Sequence, residues 1–152
     1  MGVGIGYDSH RFEDHRRLVL GGVEIEHDRG LAGHSDADVL THAVIDALLG
    51  AAGSGGDIGT LFPDDDERWR DADSIDLLRT AVGTISGRIV NVDATLVCEQ
   101  PRLERHKAEM ERVLAEATSA RVSVKATTNE GMGWIGRGEG IACIAVVSLD
   151  SD

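Results

Sequence analysis

The sequence predicts an α+β or α/β sandwich, with helices laid over a sheet. Three observations carry this prediction. Short apolar runs with strand-like alternation recur along the chain, and three longer segments between them place apolar residues at helical spacing. No internal repeat, linker or low-complexity tail interrupts the pattern, and 152 residues fit one domain, 1–152, with a real core.

Val3 to Tyr7 reads as the first strand. Arg17 to Leu20 and Val23 to Ile25 read as a hairpin-like pair around Gly21-Gly22. Residues 28–37 are rich in Gly and polar groups and read as a loop. A helix is expected from about Asp36 to Ala52, because Val39, Leu40, Ala43, Ala47 and Leu48 follow helical spacing. Ser35 and Asp38 have capping-box spacing at its start, and Gly53 is a natural stop. Residues 53–73 form a loop long enough to be functional. The second helix covers Ser74 to Ser86, with Ile75, Leu78, Val82 and Ile85 on one face. Ile89 to Val97 alternates as a strand, a polar turn follows, and Leu103 to Ala117 is the third helix. Val122 to Ala126 is a strand, and TTNEGMGWIGRGEG is a second Gly-rich loop. Ile141 to Leu149 is apolar enough to be a strand buried on both faces.

Composition narrows the function. Hydrophobic residues make up 41% and aromatics only 3%, so aliphatic side chains must build the core. No apolar run approaches the ~20 residues that span a bilayer, and the first residues lack a basic start and an apolar signal core. A cytoplasmic protein with two buried, reduced thiols, Cys98 and Cys143, is the expectation. The net charge of −12, from 27 acidic and 15 basic residues, disfavours nucleic acid and anionic membranes as partners. It also means that a phosphate site must make its own local positive field. Lys107 and Lys125 are the only lysines, and an Asp-rich, Lys-poor surface suits high salt, where self-repulsion is screened.

Asp8 and His10 are two apart on a strand, so their side chains leave one face. His42, from the first helix, supplies a third donor. Asp, His and His suit zinc, and three protein ligands leave a fourth position open. The alternative is a polar strand end beside a buried, satisfied histidine. Asp38, His42 and Asp46 form a stripe at i, i+4 and i+8, which is either a solvated face or carboxylates that orient His42 by accepting its free N–H. His15 and His27 read as surface residues. His34-Ser35 stands before a helix start, where phosphate is favoured. The loops GGDIG and TTNEGMG offer more backbone N–H groups, Thr127 and Thr128 offer hydroxyls, Glu130 suits a hard cation such as Mg²⁺, and Arg137 suits bidentate pairing with phosphate. Their shared theme is a diphosphate held between metals.

The stretches GIGYDSHRF, LGGVEIEHDRGLAGHSDADVLTHAVIDALLGAAG, GDIGTLFPDDD, ADSIDLL, NVDATLVCEQPRL and KATTNEGMGWIGRGEGIACIAVV cover nearly the whole chain in order. In them the chain resembles the 2-C-methyl-D-erythritol 2,4-cyclodiphosphate synthases of the non-mevalonate isoprenoid pathway. The resemblance implies an α+β single-domain sandwich, ferredoxin-like, with a mixed sheet covered by helices, assembling as a homotrimer with active sites between subunits. It implies a lyase that converts 4-diphosphocytidyl-2-C-methyl-D-erythritol 2-phosphate to the cyclic diphosphate, the 2-phosphate attacking the β-phosphorus and CMP leaving.

By the same resemblance Asp8, His10 and His42 bind Zn²⁺ and face the substrate. His34 and Thr128 are catalytic, stabilising the transition state, with Ser35 beside them. Asp57, Ile58 and Gly59 hold the methylerythritol, and Phe62, Pro63, Asp64, Asp65 and Asp66 line that pocket. Cys98, Glu99, Gln100, Pro101, Arg102, Leu103 and Glu104 cradle the cytidine, largely through backbone groups. Thr127, Thr128, Asn129 and Glu130 bind the substrate, and Glu130 binds Mg²⁺ or Mn²⁺ on the diphosphate. Trp134 and Arg137 complete the diphosphate end. Arg137 and Glu139 also face the trimer axis, where an apolar cavity can carry an isoprenoid diphosphate. The chain departs from the pattern at Arg102 (usually lysine), Arg105 (usually proline) and the loop DDERWRDADS. Two rivals remain at this stage: a zinc phosphohydrolase acting through hydroxide, and a trimeric carrier of prenyl diphosphate.

Overall fold

The computed structural model describes residues 1–150. Among them are seven strands and five helices, in chain order β1 (Gly2–Asp14), β2 (Leu18–Leu20), β3 (Val23–Ile25), β4 (Arg29–Leu31), α1 (Val39–Ala52), α2 (Ile58–Leu61), α3 (Ser74–Thr84), β5 (Arg88–Val97), α4 (Lys107–Thr118), β6 (Arg121–Thr127), α5 (Gly133–Gly136) and β7 (Gly140–Asp150). The main sheet has the order β4-β1-β7-β5-β6, and β2 and β3 form a separate hairpin. β1 and β5 both pair antiparallel with β7, and β5 pairs parallel with β6. This is the mixed α+β arrangement expected from the sequence.

Several boundaries differ from expectation. The first strand runs seven residues past Tyr7, so Asp8-Ser9-His10 lies mid-strand and not at a strand end. β4 occupies part of the expected 28–37 loop, where three residues pair with Phe12 to Asp14. The 53–73 loop contains α2 and a 3-10 turn over Glu67–Trp69. The third helix starts at Lys107, after a 3-10 turn over Glu104–His106. The first helix starts at Val39. Asp38 is its N-cap and accepts from Thr41 N, so Ser35 does not cap it. The stop at Gly53, in left-handed conformation, is as expected.

β1 carries a stripe of glycines on the face beneath α1. A Cβ on Gly4 would lie 2.0 Å from the Ala47 carbonyl oxygen, and one on Gly6 would lie 1.9 Å from that of Ala43. Strand and helix backbones therefore meet directly, with Ala43, Ala47 and Ala51 opposite Gly6, Gly4 and Gly2. α1 is buried almost throughout. The core joins α1, α3, α4 and the inner face of the sheet through Leu40, Ile45, Leu48, Leu78, Leu96, Met110, Leu114 and Ile141.

One fully buried carboxylate ties these layers together. Asp38 accepts from Gly21 N and Gly22 N at 2.8 Å, from Thr41 N and Oγ1, and from Ser74 Oγ at 2.7 Å. The hairpin turn, the start of α1 and the start of α3 thus share a single anion.

The outer face of the sheet corrects the expectation for β7. Ile144 and Val146 are 43% and 38% exposed, not buried. They sit beside Tyr7 and Ile5, their register partners on β1, and with Val3 they make a contiguous apolar patch. A patch of this kind marks an interaction surface.

Candidate active site

Asp8 and His10 follow Gly2, Gly4 and Gly6 on the helix-facing side of β1. The glycine stripe brings α1 close enough for His42, one residue before Ala43, to reach them. His10 Nε2 and His42 Nδ1 lie 2.9 and 3.2 Å from the same oxygen, Asp8 Oδ2. Candidate ligand atoms of the three residues lie within 4.8 Å of one another. His42 is 8% exposed and the other two are half-buried.

The outer nitrogens decide how these rings face inward. His10 Nδ1 is 2.8 Å from the Ala32 carbonyl oxygen, which can only accept, so Nδ1 carries a proton. His42 Nε2 is 3.2 Å from Ser35 Oγ, a hydroxyl able to accept its N–H. In their neutral forms both histidines then turn a lone pair toward a carboxylate. That is a set of three electron-rich donors which a divalent cation satisfies, and it fits zinc. Burial pushes the Asp8 carboxyl up, but the hydrogen bonds and charges of His10 and His42 outweigh it and hold it at about 2. Burial pushes His42 down, but Asp8, with help from Asp38 and Asp36, raises it overall.

Neither helix carboxylate orients His42, contrary to one sequence reading. Asp38 is consumed by the five bonds described above. Asp46 accepts from Ile58 N at 2.7 Å, and burial raises its carboxyl. Its part is to anchor the 57–62 segment to α1. Ser35, whose hydroxyl also meets Ala37 N at 3.4 Å, is the group that touches the ring of His42.

The expected site residues divide among three cavities. The first, about 210 Å³, holds Asp8, His10, His42, His34, Ser35, Ile58, Gly59, Phe62 and Asp64. Gly33, Trp69 and Leu77 also line it; the sequence reading passed them over. Trp69 meets Phe62 edge-on with centroids 4.9 Å apart, so the unusual 64–73 loop builds part of the wall. Asp57, Pro63, Asp65 and Asp66 do not line this cavity. Asp57 caps α2, and the backbone N–H and hydroxyl of Thr60 hold its carboxyl below the usual range. Asp66 is clamped by Arg68, with Oδ2 2.6 Å from Nη2.

The second cavity, about 400 Å³, is lined by Cys98, Glu99, Gln100, Pro101, Arg102, Leu103 and Glu104 on one side and Thr127 and Thr128 on the other. Both thiols are free, and burial with the Glu99 charge pushes Cys98 up to about 11, so it is no nucleophile here. Asn129 and Glu130 follow on the adjoining loop. The third cavity, about 700 Å³, gathers Trp134 and Arg137 with Arg11, Arg29, Phe12 and Glu139 on the far side of His10. Arg137 is paired with Glu139 at 2.5 Å. Trp134 and Arg137 thus line a different cavity from Thr128. His27, expected at the surface, is half-buried against Phe12, with ring centroids 5.6 Å apart.

The first two cavities share no residue, yet the ladder aligns them. Ser9 pairs with Ala142, Ala142 with Val97, and Val97 with Thr127. Both cavities therefore open at the same end of the sheet. Three strand spacings, about 14 Å, separate β1 from β6, and two separate β1 from β5.

Residues 1–150 match the YgbB family. The 2-C-methyl-D-erythritol 2,4-cyclodiphosphate synthase of Rubrobacter xylanophilus is 57% identical, covering 97% of this chain and 94% of its own. The enzyme of that name from Salinibacter ruber is 54% identical over 99% of both. A solved structure of a 2-C-methyl-D-erythritol 2,4-cyclodiphosphate synthase with CDP bound superposes with a TM-score of 0.85, at 35% identity over 97% of this chain and 99% of that one. No helix among the described residues is long and apolar enough to cross a membrane. From its first strand to its last, this chain belongs to the YgbB family.

Proposed function

We propose that the protein converts 4-diphosphocytidyl-2-C-methyl-D-erythritol 2-phosphate to 2-C-methyl-D-erythritol 2,4-cyclodiphosphate and CMP, in isoprenoid precursor synthesis. The observation that carries this reading is the convergence of Asp8, His10 and His42 in a cavity that also holds His34 and Ser35. The relatives named for this reaction, and the CDP in the related structure, supply the substrate class.

Asp8, His10 and His42 would hold Zn²⁺. When bound, it supplies a Lewis acid for a phosphate oxygen. The Ala32 carbonyl and the Ser35 hydroxyl keep the two rings aimed inward. Ile58, Gly59, Phe62, Trp69 and Leu77 form a largely apolar wall that suits the methylerythritol and excludes competing water. Backbone groups of the segment from Cys98 to Glu104 would take the cytidine, Thr128 would face the diphosphate, and Glu130 would hold Mg²⁺ or Mn²⁺. No protein nucleophile is needed, since the substrate's 2-phosphate attacks its own β-phosphorus. The residues act by positioning and by charge.

A homotrimer with sites between subunits completes this picture. The two cavities share no residue and lie at β1 and at β5–β6 of one sheet, with β7 between them. A head-to-tail contact brings the zinc-side cavity of one copy against the cytidine-side cavity of the next, and three such contacts can close a ring. The exposed patch of Val3, Ile5, Tyr7, Ile144 and Val146 favours burial at the ring's centre. Arg11, Arg29 and Arg137 around the third cavity suit an isoprenoid diphosphate. The split placement of β7 between parallel β1 and β5 supports the ferredoxin-like description. The continuous core favours a single domain, and the buried free thiols suit the cytoplasm.

The test is incubation with the substrate, with and without a zinc chelator, read by ³¹P NMR. Cyclic diphosphate and CMP should appear and should vanish with chelator. Asp8→Ala or His42→Ala should lose zinc and nearly all turnover. Full turnover in demonstrably metal-free protein would refute the proposal.

A further inference from the structure

The loop after β6 has an uncommon backbone. Glu130 and Gly131 are successive left-handed residues, at φ 55° and 72°. For Glu130, which carries a Cβ, that conformation is disfavoured and must be held by its surroundings. Successive N–H groups on such a backbone form a concavity that attracts an anion. The sequence alone suggests that these groups await phosphate, but two of them already have a carboxylate. Glu99 Oε1 accepts from Asn129 N at 2.9 Å and from Gly131 N at 3.2 Å. Glu130 N, between them, meets Thr128 Oγ1 at 3.3 Å. One residue away, Cys98 N donates to Thr127 O at 3.0 Å. The two walls of the second cavity are thus stitched together at adjacent positions, and Glu99 supplies the stitch that reaches the loop.

We infer that the Glu99 side chain is a positioning group: its carboxylate holds the Thr128–Gly131 loop in the shape that presents Thr128 and Glu130. What those two residues then do rests on the reaction proposed above, whereas the clamp itself does not. Glu99 joins the wall facing the nucleotide to the loop facing the diphosphate and its second cation. Losing the clamp should therefore disturb the cation more than the zinc, whose ligands line a separate cavity. The acceptor matters here more than the charge: the amide oxygen of a glutamine can accept both N–H groups, and an alanine can accept neither.

The experiment compares wild type, Glu99→Ala and Glu99→Gln. Amide hydrogen exchange over residues 127–132 is measured without substrate or Mg²⁺, alongside zinc content and a Mg²⁺ titration of turnover. Glu99→Ala should speed exchange at Asn129 and Gly131 and raise the half-saturating Mg²⁺ concentration, each about tenfold, the size of one lost hydrogen bond to a charged group. Zinc content should stay at the wild-type level. Glu99→Gln should recover both readings to within about threefold. Unchanged exchange in Glu99→Ala would overturn the inference, and so would a Glu99→Gln protein as deprotected as the alanine variant. If wild type makes no cyclic product, the proposed reaction falls, and the exchange comparison still decides the role of Glu99.

Discussion

Adding one methyl group at Gly6 should dismantle the candidate metal site without touching a ligand. The Cβ of Gly6→Ala would lie 1.9 Å from the Ala43 carbonyl oxygen and 2.7 Å from Ala47 N, both backbone atoms of α1. Ordinary contact begins near 3.4 Å, so strand and helix must part by about 1.5 Å at that point. His42 is the neighbour of Ala43, and its Nδ1 is 3.2 Å from Asp8 Oδ2. A separation of that size breaks the contact, and it far exceeds the ~0.2 Å within which zinc–ligand distances must fall. The overpacking should cost about 1–3 kcal/mol, or roughly 2–12 °C in Tm for a chain of this size. The assay is zinc stoichiometry of the purified protein, with thermal melts followed by circular dichroism. Gly50→Ala is the control: its Cβ would lie 3.6 Å from Gly4 Cα, within ordinary contact, and alanine suits a helix better than glycine by up to ~1 kcal/mol. It should keep zinc and melt no lower. A Gly6→Ala protein with wild-type zinc and Tm would refute the close-packing argument.

Other perturbations probe the frame around the site. Asp38→Ala strands donors from Gly21, Gly22, Thr41 and Ser74 in the core; it should cost at least ~3 kcal/mol by urea denaturation, and a loss under 1 kcal/mol would refute the hub. In metal-free protein the depressed Asp8 carboxyl, about 2 against 3.8, contributes about 2 kcal/mol above pH 4 that is lost as pH falls through about 2. The raised His42 contributes below its ordinary range and loses its share as pH rises through its folded value, so the pair is strongest near pH 5. The stability gap between wild type and Asp8→Asn should therefore be widest near pH 5 and close toward pH 2; Asp36 and Asp46, which burial raises, act with opposite sign in both proteins and largely cancel. With a net charge of −12, Tm should rise as salt goes from dilute buffer toward molar concentration, and a flat titration would refute the screening argument.

The sequence by itself determined the metal triad's strand half, the three long helices and the apolar strands. These depend on local periodicity: residues two apart on a strand must share a face, and Val39 to Leu48 must share a helix stripe. Short pairings escaped it. Arg29–Leu31 is a strand only because Phe12 to Asp14 lie beside it, and the 53–73 segment helps build the site because Asp46 holds Ile58 and Phe62 meets Trp69. The carboxylates on the first helix looked alike in sequence, yet one became a buried hub and the other an anchor, while Ser35 reached His42. Most of all, tertiary structure decided that the Asp8-His10-His42 group and the 98–104 segment fall in separate cavities at one end of one sheet. That follows from strand order and register, which place Ser9, Ala142, Val97 and Thr127 in one row. Register is set by long-range hydrogen bonds, which no local pattern encodes; the Gly2-Gly4-Gly6 stripe is local, but which helix lies on it is not.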